Sequence, residues 1–428
     1  MEGENSWFFL TSYLFPVVVI IGALMNILFD IPKNICSSRI LKDLSISVLS
    51  PREIVILLKM KYDERIQKMR NNDLEQLAFE LNDLDYCYAT LTKVSRSFAI
   101  VIEQLPQELK DAVCIFYLVL RGLDSVEDDM NYPDDQKIVL LRNFHRNLLS
   151  DQWSIENVGD KQDYRILLSH FGKVIHVLKS LDLKYQSILI DITERMGNGM
   201  SEFVGKTESI ETIEDYNLYC HYVAGLVGYG LSSLFSHSGL EDSHIDLHKE
   251  LSNSMGLFLQ KTNIIRDYLE DLQSGRTWWP KQIWMKYASH IGHFKNKPSG
   301  KGSLECLNEM IMDALNHVPD VLNYLHRIKN ENIFQFCSIP QVMAIATLSE
   351  LCNNANVFTS NVKIRKGISY KIMTNSSNFD QVYRWFEYFI GKIETKISNR
   401  SNSSQQQISQ LINRIRHCSF QFQRNHLE

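Results

Sequence analysis

Two acidic stretches carry residue types at spacings that can do chemistry. In Asp124-Ser-Val-Glu-Asp-Asp129 two carboxylates, Asp124 and Asp128, stand four positions apart, and Glu127 adjoins the second. On a helix Arg121, Asp124 and Asp128 share one face, with Glu127 beside them. The ten residues before, Cys114 to Leu123, are nearly all apolar. An apolar helix should not end in inward-pointing carboxylates unless a cation meets them. Asn263-Ile-Ile-Arg-Asp-Tyr-Leu-Glu-Asp271 repeats the arrangement with Asp267 and Asp271, Glu270 at the offset of Glu127, and Arg266 adjoining. Asn263 and Gln260 continue that face one and two turns earlier. A single Asp-x-x-x-Asp is ordinarily a solvated helix face. Two copies, each behind apolar turns and next to an arginine, argue instead for facing helices whose carboxylates share metal ions. Mg²⁺ is hard, takes oxygen ligands, and is usually held by a few carboxylates plus substrate phosphates. A diphosphate bridged between such walls becomes a good leaving group, because the metal absorbs the charge that develops as its C–O bond breaks.

Four further constellations have both a chemical and a plain structural reading. Ser95-Arg-Ser-Phe98 opens a helix, with a hydroxyl residue as N-cap and Arg96 able to add an anion contact. Tyr219-Cys-His-Tyr-Val-Ala-Gly-Leu-Val-Gly-Tyr-Gly230 is glycine-rich for a helix. Gly225 and Gly228 suit a close helix crossing, while Tyr219 and Tyr222 can line a cavity, Tyr219 as hydroxyl donor or base. Val362-Lys-Ile-Arg-Lys-Gly367 is a basic loop, either solvated or a binder of cofactor phosphates through Lys363 and Arg365. Phe336, ahead of Pro340 and an apolar run, is either core or the aromatic face of a carbocation path. No Ser/His/Asp arrangement and no zinc spacing is evident.

The elements that must position these residues are helices. The chain has 428 residues, 44% hydrophobic and 22% charged, with a formal net charge of -5. That is globular material with no footprint for nucleic acid. Eight cysteines without Cys-x-x-Cys spacing fit reduced, buried thiols rather than a disulfide framework. The periodicity predicts helices over 51–60, 73–91, 96–104, 107–129, 135–149, 162–179, 183–205, 212–237, 244–273, 303–328, 338–353 and 376–397, and no strands. The expected fold is all-α, one large helical domain over 51–397. Residues 398–428 read as a polar tail. Residues 8–29 carry no charge and, at ~1.5 Å per residue, are long enough for a ~30 Å hydrocarbon core. Glu2 and Glu4 precede the run; Lys33, Arg39 and Lys42 follow it. The charge bias places the later residues in the cytosol. The expectation is therefore an N-terminal membrane anchor within 1–30 and a tether over 31–50.

Taken together, these blocks resemble the squalene synthases, the farnesyl-diphosphate farnesyltransferases of the phytoene/squalene synthase family. The resemblance rests on Ser95–Phe98, Phe116–Asp129, Arg195–Phe203, Tyr219–Gly228, Gly256–Asp271, Ile339–Leu348 and Val362–Gly367. It implies the isoprenoid synthase fold around a central cavity. It also implies head-to-head condensation of two farnesyl diphosphates to presqualene diphosphate, then NADPH-dependent reductive rearrangement to squalene. An enzyme that stops at presqualene diphosphate, or makes dehydrosqualene without reduction, is the nearest rival; a helical membrane scaffold that has lost catalysis is a more distant one. By the resemblance, Asp124, Glu127 and Asp128 would hold Mg²⁺ on one wall, and Asp267 and Asp271 on the other. Tyr219 would be the acid/base of cyclopropane formation, and Phe336 would border the second half-reaction. Arg96, Arg121, Arg266, Lys363 and Arg365 would bind NADPH (or NADH) or diphosphate. Ser95, Ser97, Phe98, Gln260, Asn263 and Arg276 would contact substrate. The expectation is a monomer on the endoplasmic reticulum membrane with its catalytic domain in the cytosol, a topology that rests on the charge bias alone. The family usually carries its membrane helix at the C-terminus, so the anchor expected at 8–29 departs from that pattern.

Overall fold

A computed structural model of the chain describes residues 73–205, 210–398 and 410–415, without the side chains of Arg96 and Ser398. The span expected at 8–29, the tether, the helix expected at 51–60 and most of the polar tail lie outside the described residues. Among the described residues there is no strand, as expected, and no helix long and apolar enough to cross a membrane.

The run expected over 73–91 is two helices, α1 (Leu74–Glu80) and α2 (Asp83–Val94). Asn82 divides them: its side chain accepts the Asp85 N–H at 2.9 Å and starts a new helix. The short α3 (Arg96–Ile102) follows. The next helix, α4 (Gln107–Asp128), is the buried axis of the N-terminal half; Leu109, Val113, Phe116 and Leu123 are buried along it, and the first acidic stretch closes it. Around it lie α5 (Asp134–Asn147), α6 (Gln162–Ser169), α7 (Phe171–Ser180) and α8 (Leu183–Phe203).

A second rod runs from α9 (Ile213–Cys220) through a π-helical turn at His221–Gly225 into α10 (Leu226–Ser238). It crosses α11 (Lys249–Arg266) at backbone contact. A Cβ on Gly228 would lie 2.1 Å from the Ser252 carbonyl oxygen, and one on Gly256 would lie 2.2 Å from that of Ala224. The glycines expected to permit a close crossing do so, with Gly256 from the partner helix. The expected helix 244–273 breaks at Asp267, and α12 (Tyr268–Gln273) continues it. The turn is slight, because Asp267 N–H still reaches the Asn263 carbonyl at 2.8 Å and Asp271 N–H reaches that of Asp267 at 2.9 Å.

The C-terminal half adds α13 (Lys281–Trp284), α14 (His293–Asn296), α15 (Lys301–Leu315), α16 (Val318–Arg327), α17 (Glu331–Leu351), α18 (Lys366–Thr374) and α19 (Phe379–Ser398). The apolar run expected to begin at 338 begins earlier. Asn330 caps α17 through the Asn332 and Ile333 N–H groups at 3.0 and 3.2 Å, and Pro340 sits inside the helix. Burial of Phe334, Phe336, Ile339 and Val342 outweighs the one hydrogen bond that proline cannot donate, which is the one to the Phe336 carbonyl. Six cysteines, at 87, 114, 220, 306, 337 and 352, are buried and free, as composition suggests.

Candidate active site

A cavity of about 240 Å³ lies between α4, α10, α11 and α17. Most of its wall is apolar: Phe98, Phe116, Leu120, Val227, Leu231, Phe235, Met255, Leu259 and Phe336 line it. Its charged lining residues, Arg121 and Asp124, sit in the last turns of α4, and the amides of Gln260 and Asn263 sit in the last turns of α11. The polar end is thus where both acidic stretches begin, and the greasy body extends away from it.

Arg276 decides whether the two acidic stretches meet. One of its terminal nitrogens is ion-paired with Asp128, and the other is 3.5 Å from Asp271 Oδ1. A single guanidinium therefore spans both walls. Its Nε is buried and unpartnered, and so is the Nε of Arg121. Buried donors of this kind ordinarily find an acceptor, and a diphosphate offers many. Arg121 is 3.6 Å from Asp124, donates to Tyr117 Oη at 3.3 Å, and lies over the rings of Tyr117 and Tyr164. Arg266 grips Asp267 in a two-pronged contact of 2.8 and 2.6 Å.

The carboxylates are charged at a cost. Burial, then the Asp128 charge, outweighs Arg121 and pushes Asp124 up to about 6. Burial, then Asp128 and Asp124, pushes Glu127 up to about 8. Burial pushes Asp271 up to about 7 against the pull of Arg276. Among the described residues no three acidic, His or Cys side chains converge tightly enough to cage an ion unaided. The donor set is all oxygen, split between opposed walls, and short of cationic compensation. That fits Mg²⁺, which keeps several waters and completes its shell with phosphate oxygens. It does not fit a dedicated protein cage.

The other expected residues are distributed as follows. Tyr219 is buried beside the first wall, its hydroxyl donating to Glu127 Oε1 at 3.3 Å, and it does not line the cavity. Burial, then Glu127 and the neighbouring aspartates, drives its phenol far above its ordinary range, so it keeps its proton and rests as a hydrogen-bond donor to Glu127. Ser95 caps α3 through the Phe98 N–H at 3.4 Å, whereas Ser97 points to solvent. The Arg96 side chain lies outside the described set. Lys363 and Arg365 are exposed, while Val362 and Ile364 between them pack on the core. That alternation fixes the loop and turns its cations outward, a surface suited to polyanionic phosphates. No ion pair among the described residues joins these two cations to the acidic walls. Sequence reasoning missed Trp278, whose ring stacks on Tyr219 at 3.9 Å between centroids and 9° between planes. The Trp-Trp doublet two positions after Arg276 was the available signal. Tyr164 over Arg121 left no signal, since nothing in its spacing ties it to α4.

The squalene/phytoene synthase family model matches residues 91–367. The chain belongs to that family. It is 46% identical over 362 residues to a squalene synthase of Botryococcus braunii, covering 83% of this chain and 76% of that protein. It is 45% identical to the squalene synthase of Rattus norvegicus and 43% to that of Homo sapiens, covering 86% of both partners in each comparison. A solved complex of TcSQS with a ligand superposes with a TM-score of 0.77 at 42% identity, covering 79% of this chain and 99% of that one. The matched span contains both acidic stretches, Tyr219, Phe336 and the basic loop.

Proposed function

We propose that this chain is a squalene synthase. It joins two farnesyl diphosphates head to head, with loss of one diphosphate, to presqualene diphosphate, and then rearranges and reduces that intermediate to squalene. The observation that carries the reading is the Arg276 bridge between Asp128 and Asp271 beside an apolar cavity. It supports one diphosphate-binding end serving one water-poor chamber. Mg²⁺, held by Asp124, Glu127 and Asp128 on one wall and Asp267 and Asp271 on the other, supplies charge neutralisation to the departing diphosphate. Lys363 and Arg365 would hold the phosphates of NADPH, which would supply the hydride of the second half-reaction.

The chain's own residues do the rest. Arg276 and Arg121 present guanidinium donors toward the leaving group, and the Gln260 and Asn263 amides orient it from α11. Phe116, Leu231, Phe235 and Phe336 exclude the water that would quench an allylic cation, and the ring faces of the three phenylalanines favour positive charge. Cyclopropane closure must release a proton. Tyr219 Oη, which donates to Glu127 Oε1 at 3.3 Å, takes that proton as it passes its own to the carboxylate, leaving Tyr219 neutral and Glu127 protonated. The enzyme acts as a monomer, tethered by residues 8–29 to the endoplasmic reticulum membrane with its catalytic part in the cytosol, where a water-insoluble product passes directly to lipid.

The test is product analysis of the full chain in detergent with farnesyl diphosphate and Mg²⁺, with and without NADPH. Squalene with NADPH, and presqualene diphosphate without it, is the expected pair. The same product in both arms overturns the reading in favour of a non-reductive synthase.

A further inference from the structure

The segment between α12 and α13 carries two contacts, one to the acidic walls and one to Tyr219. It turns at Gly275, whose φ of +73° is a left-handed conformation that glycine takes without cost. The chain then places Arg276 across Asp128 and Asp271, and two positions later lays Trp278 flat on Tyr219. Its far end is pinned to the residues that lead into α9. Lys281 N–H reaches the Ile210 carbonyl at 2.8 Å, and Gln282 N–H reaches that of Glu211 at 2.9 Å. The Gln282 side chain accepts the Ile213 N–H at 2.8 Å, at the first residue of α9. The strap is therefore fastened to the acidic walls at one end and to the root of the Tyr219 helix at the other.

Trp278 is 6% exposed and Tyr219 4%. Phe203 makes a second aromatic contact with the tyrosine, at 5.3 Å between centroids and 63° between planes. Trp278 and Phe203 together restrict where the Tyr219 ring can sit. A phenol swung about its Cα–Cβ bond would carry its hydroxyl off Glu127, whereas turning about Cβ–Cγ leaves the oxygen in place and redirects only the O–H. Stacked and edge-to-face aromatic contacts favour one ring position over others.

We propose that Trp278 is a positioning residue for the first half-reaction. Its indole holds the Tyr219 ring in the position that sets its hydroxyl against Glu127, and the strap couples that position to the grip of Arg276 on the acidic walls. The proposal rests on the role given to Tyr219 above. It separates the two half-reactions, because Phe336 lines the apolar cavity and Lys363 and Arg365 are exposed, whereas Trp278 is buried and does not line that cavity.

The experiment uses the full chain with Trp278→Leu, which keeps bulk and removes the flat face, and Trp278→Phe, which keeps a ring. The rate of presqualene diphosphate formation from farnesyl diphosphate and the rate of squalene formation from supplied presqualene diphosphate are measured separately. Trp278→Leu should slow the first rate by about 10–100-fold, the scale expected when a reacting group is misplaced by a fraction of an ångström to an ångström. The second rate should stay within about threefold, and Trp278→Phe should restore most of the first. In a Tyr219→Phe background, Trp278→Leu should add little, because the hydroxyl it positions is gone. Equal slowing of both half-reactions, or full additivity with Tyr219→Phe, marks a merely structural indole and overturns the proposal. If Tyr219→Phe slows the first rate and Trp278→Leu does not, the clamp is wrong and the tyrosine's role stands. If Tyr219→Phe itself leaves that rate unchanged, both fall. Trp278→Met provides the same comparison if the leucine variant does not fold.

Discussion

Replacing Asp128 by Asn removes one charge from the first acidic wall with almost no change of shape. Asp128 is ion-paired with Arg276, the two side chains being 30% and 15% exposed. Losing a charge-assisted contact costs about 1.5–3 kcal/mol in folding, and partial solvent screening brings this toward the lower figure. Against it stands relief of repulsion, since the Asp128 charge is among the causes that push Asp124, Glu127 and Asp271 upward. For one like-charge pair about 6 Å apart in a medium of effective dielectric about 20, Coulomb's law gives roughly 3 kcal/mol. Arg276 keeps its second partner, Asp271. The opposing effects are of one size, so the variant should unfold within about 1 kcal/mol of the parent. Turnover behaves differently. A preorganised charge aimed at the departing diphosphate has no substitute, and removing one such contact typically costs about 100–1,000-fold in rate. Thermal unfolding and squalene production from farnesyl diphosphate, Mg²⁺ and NADPH are the paired assays. A variant that folds normally and retains activity within about threefold would falsify the claim that these walls hold the leaving group. A variant that loses more than about 3 kcal/mol of stability would show that the walls are not strained by like charge.

Two further outcomes follow from buried charge. Asp124 and Asp271 titrate at about 6 and about 7 in the folded chain, above the roughly 3.9 of an unfolded aspartate. The folded state therefore holds more protons between those limits, and these groups make stability fall as pH rises from about 4 to about 7. Mg²⁺ with inorganic pyrophosphate should raise the melting temperature more at pH 8 than at pH 5.5, and the opposite order would contradict the assignment of these acids to the ion. On the far face of α11, Lys261 is 1% exposed and pairs with Asp313 at 2.6 Å. Lys261→Met should cost about 3–5 kcal/mol by stranding Asp313, while Lys261→Met with Asp313→Leu should recover most of it; chemical denaturation distinguishes the two.

How far the sequence reveals this site depends on where each residue sits. Asp124, Asp128, Gln260 and Asn263 were legible because a helix converts spacing into a shared face, and α4 and α11 are long, apolar and uninterrupted up to their acidic ends. The crossing of α10 and α11 was half legible: Gly225 and Gly228 announced it, but Gly256 acquires meaning only when the Ala224 carbonyl is seen against it. Pro340 misled in the other direction. Read as a boundary, it concealed the first two turns of α17, whose burial exceeds the cost of one missing rung. The fusion of α1 with α2 in the expected run 73–91 has a similar origin, because hydrophobic period alone does not register a new cap at Asn82.

The residues that close the site are the ones that periodicity cannot reach. Arg276, Trp278 and Lys281 lie on a strap outside any long helix, and what they touch is set by where α12 ends and α9 begins. A helical pattern reports on its own face and is silent about which loop will lie across it. The charge imbalance nevertheless pointed to something of the kind. Carboxylates at the ends of two apolar helices require cations, and Arg121 and Arg266 are each already engaged by an acid of their own wall. A third guanidinium from elsewhere in the chain, shared between the walls, is what that imbalance demands, and Arg276 supplies it. Because the same strap also holds Trp278 against Tyr219, the residue that brings the two walls together and the residue that orients the phenol cannot move independently.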